Sequence, residues 1–238
     1  MKDKISFYFE EFAKCLDPIF GSRLIDIVFY GSLVRGGFDL LRSDIDFIVW
    51  IDGPLTPQEI RRIIELHQRL RLTPSAISKL EGRYLGISDY KVLNGYYVGT
   101  NELGWKALDC ANFNQLESAM ILDCYDSYFH RIPLAYFLPF SWNEVYKDIQ
   151  DQINTFLNMS LLEENIAFQK YAIEASVRSL YTVIHQGFLS KQEALSWYQI
   201  EYGTTNHLSP RQWITMIQEQ MKPHLEMQEV AIDAHMGL

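Results

Sequence analysis

Apolar residues at Ile5, Phe9, Phe12, Leu16 and Ile19 recur at helical spacing, which predicts an amphipathic helix ending near Gly21. The period then shortens. Leu24 to Tyr30 is a β-rich run that enters Gly31-Ser32, and after a turn holding Gly36 and Gly37 a second strand is expected from Asp44 to Ile51. Ile45, Phe47 and Val49 alternate with Asp44 and Asp46, so one side of that strand faces a core and the other is polar. Thr56-Pro57-Gln58-Glu59 combines a capping residue, a proline at the first helical position and a glutamate at the third. A helix is expected to follow through Ile60, Ile63, Ile64, His67 and Leu70, then further strands at Leu80 to Ile87 and Tyr90 to Val98.

From about Asn101 alternation gives way to long helical patterns. Helices are expected from Trp142 to Leu157 and from Asn165 to His185, the latter closed by Gly187. Ser190-Lys191-Gln192-Glu193 and Ser209-Pro210-Arg211-Gln212 open two more. The fold class read from this order is α+β: an α/β domain over residues 1–100, then an all-helical domain over 101–238, without repeats or a low-complexity linker.

Composition narrows the function. With 48% hydrophobic and 14% aromatic residues among 238, the chain has enough apolar surface for a substantial core. A formal net charge of −9 with no long basic run argues against a nucleic-acid partner and suits a cationic one, although mild acidity also serves solubility alone. Cys15, Cys110 and Cys124 have neither CxxC nor zinc-like spacing and are expected as reduced core thiols. Glu10 and Glu11 interrupt the first apolar stretch, which is not the core of a signal peptide, and no run approaches a membrane span. A cytoplasmic address, no membrane partner, and a monomer or weak homo-oligomer are expected.

The candidate chemistry sits in Gly31-Ser32 and in Arg42-Ser43-Asp44-Ile45-Asp46. Alternate residues of a strand share a face about 7 Å apart, so Asp44 and Asp46 project together and can clamp a hard cation. Like charges side by side are costly unless a cation sits between them, and Mg²⁺ with triphosphate oxygens satisfies that need. At Gly31 the missing side chain lets phosphate approach backbone N–H groups, and Ser32 adds a hydroxyl. The Walker pattern GxxxxGK[ST] is absent.

An apolar strand, Gly-Ser, a Gly-Gly turn and Ser-Asp-Ile-Asp opening a second apolar strand resemble the polymerase-β-like nucleotidyltransferases. The resemblance implies a mixed sheet with flanking helices and two Mg²⁺ ions on the Asp-x-Asp strand. A second resemblance covers most of the chain, to the streptomycin/spectinomycin adenylyltransferase group of aminoglycoside-modifying enzymes. It implies that Glu81, in Lys79-Leu80-Glu81, is the third metal carboxylate and the catalytic base beside Asp44 and Asp46. Gly31, Ser32, Arg42 and Ser43 would bind nucleotide, joined by Arg178 and by Lys191 of the Ser-Lys-x-x-Ala-x-x-Trp stretch at 190–197. Trp105, in Leu103-Gly104-Trp105, would stack on the acceptor or serve as a core tryptophan. Arg178 and Lys191 each also have a local reading, an ion pair with Glu174 and a surface lysine.

Two departures stand out. Gly82-Arg83-Tyr84 differs from the group's apolar continuation, and Phe168 occupies the position of an acidic residue that grips streptomycin, which Glu163, Glu164 or Glu174 would replace. Glu164 is the candidate acceptor contact. The residues after about Gln212 match no family pattern. The function expected is transfer of AMP from MgATP to a hydroxyl of a small cationic acceptor, an aminoglycoside or aminocyclitol. The alternatives are modification of a protein or RNA, or nucleotide binding without turnover.

Overall fold

In the computed structural model, which describes residues 2–40, 43–72, 76–89, 91–99, 113–203 and 208–236, the first amphipathic stretch forms helix α1 (Lys2–Phe20). It buries Ile5, Phe9, Phe12 and Leu16 along one side. Strand β1 (Leu24–Tyr30), the single turn α2 (Ser32–Arg35) and strand β2 (Ile45–Asp52) follow. Helix α3 (Pro57–Arg71) starts at the expected box: Thr56 Oγ1 accepts from Glu59 N at 3.2 Å, and Glu59 Oε2 accepts from Thr56 N at 2.8 Å. Arg23 clamps the same corner, donating to Glu59 at 2.5 Å and to the carbonyls of Asp52 and Pro54 at 2.8 and 2.7 Å.

Strands β3 (Leu80–Ser88) and β4 (Lys91–Val98) complete the expected set. Helix α4 (Gln115–Asp123) leads to β5 (Tyr125–Ser127) and the turn α5 (Leu134–Phe137). The sheet runs β4-β3-β2-β1-β5. β2 and β3 are parallel, joined across α3, and the other neighbours are antiparallel. The sheet is therefore mixed, as expected.

β5 lies in a stretch read from sequence as helical. Three residues are too few for alternation to register, and what holds them is distant in sequence. The fully buried Asp26 carboxylate accepts from Ser127 Oγ at 2.8 Å and from the backbone N–H of Phe129 and Arg131 at 2.9 and 2.8 Å. A buried carboxylate must be satisfied in this way, and doing so fastens residues 127–131 to the sheet edge.

Each sheet face has its own core. Ile27, Phe29, Ile45, Phe47, Val49, Leu80 and Tyr84 point to one side and pack with α1 and α3. Val28, Ile48, Trp50, Leu85 and Ile87 point to the other, against Ile121 of α4 and Leu134 and Leu138. The first core contains His67, whose Nε2 stands 2.7 Å from Tyr84 Oη, with its ring stacked on Phe47. Burial, reinforced by the charge of Arg71, pushes the His67 pKa down to about 3.

The chain divides into two compact units, residues 1–113 with 120–139, and 114–119 with 140–238. In the second, α6 (Trp142–Asn158), α7 (Leu161–Glu164), α8 (Ile166–His185), α9 (Lys191–Tyr202) and α10 (Pro210–Met236) enclose a core of Val145, Ile149, Ile153, Leu180, Val183, Ala194, Ile214 and Ile217. The box at Ser190 forms as expected, and at Ser209 the two hydrogen bonds with Gln212 measure 2.9 and 3.3 Å. The end of α8 differs by one residue: Gln186, not Gly187, adopts the left-handed conformation, and its N–H donates to Thr182 O. Thr182 Oγ1, which donates to Gly187 O at 3.0 Å, helps fix that turn. Cys15 and Cys124 are free thiols, half-buried, while Cys110 lies outside the described residues. Among the described residues no helix is long and apolar enough to cross a membrane.

His67 makes the fold acid-sensitive. Its folded pKa lies below the ordinary value near 6.5, so the unfolded chain binds the proton more readily, and stability present above pH 6.5 is lost as pH falls toward 3. The slope from this group approaches about 1.4 kcal/mol per pH unit. Urea unfolding of the parent and of His67→Gln, which keeps a polar group for Tyr84 but does not titrate, is expected to give a shallower pH dependence for the variant between pH 6 and 4.

Candidate active site

Three strands bring three side chains into one row. Tyr30 of β1 pairs with Asp46 of β2, and Asp46 pairs with Glu81 of β3. Residues in register on neighbouring strands share a face about 4.8 Å apart. Ile45 and Phe47 on either side of Asp46, and Leu80 beside Glu81, belong to the first core, which directs the row of acids to the opposite face. Asp44 immediately precedes β2, two residues before Asp46, and both are half-buried.

The turn after β1 is built around Asp46. Gly31 has φ +70° and ψ −146°, a conformation restricted to glycine, and a Cβ there would overlap Oδ2 of Asp46. The glycine that sequence analysis assigned to phosphate approach thus also seats an aspartate. Ser32 opens α2, whose closing bond runs from Arg35 N to Gly31 O at 3.0 Å. Ser43 tightens the loop before β2: its N–H donates to Asp39 O at 2.7 Å, and its hydroxyl accepts from Asp39 N at 3.0 Å, which leaves the hydroxyl proton to donate.

Two residues beyond the sequence assignment belong to this face. Tyr97 of β4 donates its phenol proton to Oε1 of Glu81. Arg35 donates to Asp123 Oδ2 at 2.5 Å and to Met120 O at 3.0 Å, tying the glycine-serine turn to the last turn of α4, where a cation is favourable. Arg35 was visible within Gly-Ser-Leu-Val-Arg, but its partner lies 88 residues away. Nothing local to Tyr97 signals its contact, because pairing across the sheet creates it.

The remaining candidates fall elsewhere. Arg42 and Trp105 lie outside the described residues. Arg178 is half-buried on α8, and Lys191 is the first residue of α9. Glu174, the carboxylate that sequence offers to Arg178, instead stands 3.7 Å from both Lys170 and Lys191. Glu163 pairs with Arg211 at 2.9 Å, and Glu164 is exposed at the end of α7. Phe168 packs edge-on against Phe156, with ring centroids 5.9 Å apart, a contact that an acid at this position would lose.

Among the described residues no three His, Cys, Asp or Glu side chains stand close enough to enclose a metal ion. The donor chemistry fits Mg²⁺ nonetheless. Magnesium is held by one or two carboxylates, completes its octahedron with water and phosphate oxygens, and seldom occupies an all-protein cage. The row offers oxygen donors only, on adjacent strands beside a turn whose first residue, Gly31, carries no side chain.

Residues 9–84, which run from α1 into β3 and contain Gly31, Asp44, Asp46 and Glu81, match the family model described as a nucleotidyltransferase domain. No curated protein sequence matches the chain. Among solved structures, the chain is similar to the spectinomycin adenyltransferase AAD(9) from Enterococcus faecialis, determined with ATP and spectinomycin. The match has a TM-score of 0.58 at 14% identity and covers 90% of this chain and 97% of that one. The protein therefore carries a polymerase-β-like nucleotidyltransferase domain, followed by a helical region formed by α6 to α10.

Proposed function

We propose that the protein transfers AMP from MgATP to a hydroxyl of a small cationic acceptor, an aminoglycoside or aminocyclitol, in the cytoplasm. The observation that carries this reading is the row of Asp46 and Glu81 on adjacent parallel strands beside the Gly31 turn. Glu81 takes the proton of the acceptor hydroxyl as its oxygen bonds to the α-phosphorus, and the bond from that phosphorus to the bridging oxygen of pyrophosphate breaks. Asp44, Asp46 and Glu81 would hold two Mg²⁺ ions, which supply charge neutralisation at the attacking and departing oxygens. Ser32, Ser43, Arg42 and the backbone of the Gly31 turn bind the phosphates, with Arg178 and Lys191 as the cations for pyrophosphate.

The acceptor assignment rests on charge and likeness together. A net charge of −9 favours a cation, the exposed Glu164 is available to an ammonium group, and the structurally similar AAD(9) is bound to spectinomycin. Trp105 is the stacking surface we assign to the acceptor.

Incubation with MgATP and a panel of aminocyclitols is expected to yield a product heavier by one adenylate in mass spectrometry. A panel in which every compound stays unmodified would refute the acceptor assignment. Asp46→Asn is expected to cut pyrophosphate release by about 100-fold or more while the melting temperature holds, because a site carboxylate and not a core residue is changed. Gly31→Ala forces a methyl group into the space of the Asp46 carboxylate and strains a positive φ. It is expected to destabilise the fold by about 1–3 kcal/mol in urea unfolding and to lower turnover more than Ser32→Ala does.

A further inference from the structure

Glutamate has three rotatable side-chain bonds, so a base on an open sheet face must be held if it is to meet a hydroxyl in one orientation. Register alone places only the backbone of Glu81 beside Asp46. The side chain is gripped from the opposite strand. Tyr97 pairs with Arg83 across β3 and β4, which puts its ring diagonally opposite Glu81, and its hydroxyl donates to Oε1. The ring is itself confined: the Arg83 guanidinium carbon lies 5.7 Å from its centroid and 4.1 Å from that of Phe113. Its neighbour Tyr96 points the other way, into the first core, so the consecutive tyrosines have separate tasks. The arginine that interrupts the expected apolar continuation after Glu81 thereby acquires a role: it backs the tyrosine that holds the base.

We propose that Tyr97 is the positioning residue of the transfer reaction, its phenol fixing the Glu81 carboxylate on the face of Asp46, with Arg83 stacked behind the ring. This rests on the reading of Glu81 as the base. A tyrosine with two side-chain torsions is an economical anchor for a glutamate, and a phenol-to-carboxylate bond is charge-assisted. Removing the hydroxyl alone leaves the ring, its stacking and the sheet intact.

Three variants separate the outcomes. With MgATP and spectinomycin as probes and pyrophosphate as readout, Tyr97→Phe is expected to lower kcat by ten- to a hundredfold, with both KM values within twofold of the parent and an unchanged melting curve. In crystals of Tyr97→Phe the Glu81 side chain is expected to leave its parental rotamer, whereas Tyr96→Phe, altered on the core side, is expected to leave both kcat and that rotamer unchanged. A parental rotamer in the Tyr97→Phe crystal, a kcat within twofold of the parent, or a loss carried by KM would overturn the positioning role. Glu81→Gln tests the base by itself. Full turnover in that variant sinks the reading of Glu81, and the crystal comparison, which needs no acceptor, still decides whether Tyr97 holds the side chain.

Discussion

The backbone register of β1, β2 and β3 is the constraint on which the site depends. A one-residue slip in β2 would turn Asp46 into the core packed by α1 and α3 and bring Phe47 to the polar face, exposing an apolar ring and burying a charge at once. Burial on both faces locks the alternation: Ile45, Phe47 and Val49 fill one core while Ile48 and Trp50 fill the other. The carboxylates escape this double burial only at the start of the strand, where the second core has ended. A site at the strand mouth is thus a consequence of where apolar cover stops.

Gly31 extends the same constraint to the turn. Its Cα meets the carboxylate of Asp46 with no room for a methyl group, so the loop that would receive phosphate and the acid that would receive metal are fixed against each other. Arg35, four residues on and with a side chain only 12% exposed, secures the turn to the end of α4. Asp26 does comparable work at the far edge, holding β5 and the chain after it. The two charged anchors stand outside the row of candidate catalytic acids.

Much of this was legible in the sequence because its causes are local. The boxes at Thr56 and Ser190 each lie within four residues, and the helices begin where they say. The facing of Asp46 follows from alternation alone, and the order of Gly-Ser and Asp-x-Asp pointed to the family. What escaped is non-local. β5 is held by a carboxylate about a hundred positions away, and Tyr97 meets Glu81 only because β4 folds back on β3. α8 ends at His185 as its pattern predicts, and only the closing residue differs, for another reason: glycine has the greater intrinsic freedom, but Gln186 accepts the left-handed turn.

The helical unit poses an electrostatic question of its own. Lys191 sits in the first turn of α9, where the helix dipole repels a cation, so an anion must compensate it. Glu193 of the same turn and Glu174 are acids near it; the Glu174 side chain is 11% exposed, yet its separation from Lys191 is 3.7 Å and the lysine side chain is 57% exposed. A loose pair of this kind contributes roughly 0–1 kcal/mol, and Glu174 has Lys170 at the same distance as a second partner. Handing Lys191 to a phosphate would therefore cost little, and the acid left behind would not be stranded. A lysine with a replaceable partner on a capped helix is better suited to binding and releasing a charged ligand than one locked into a short, buried pair would be.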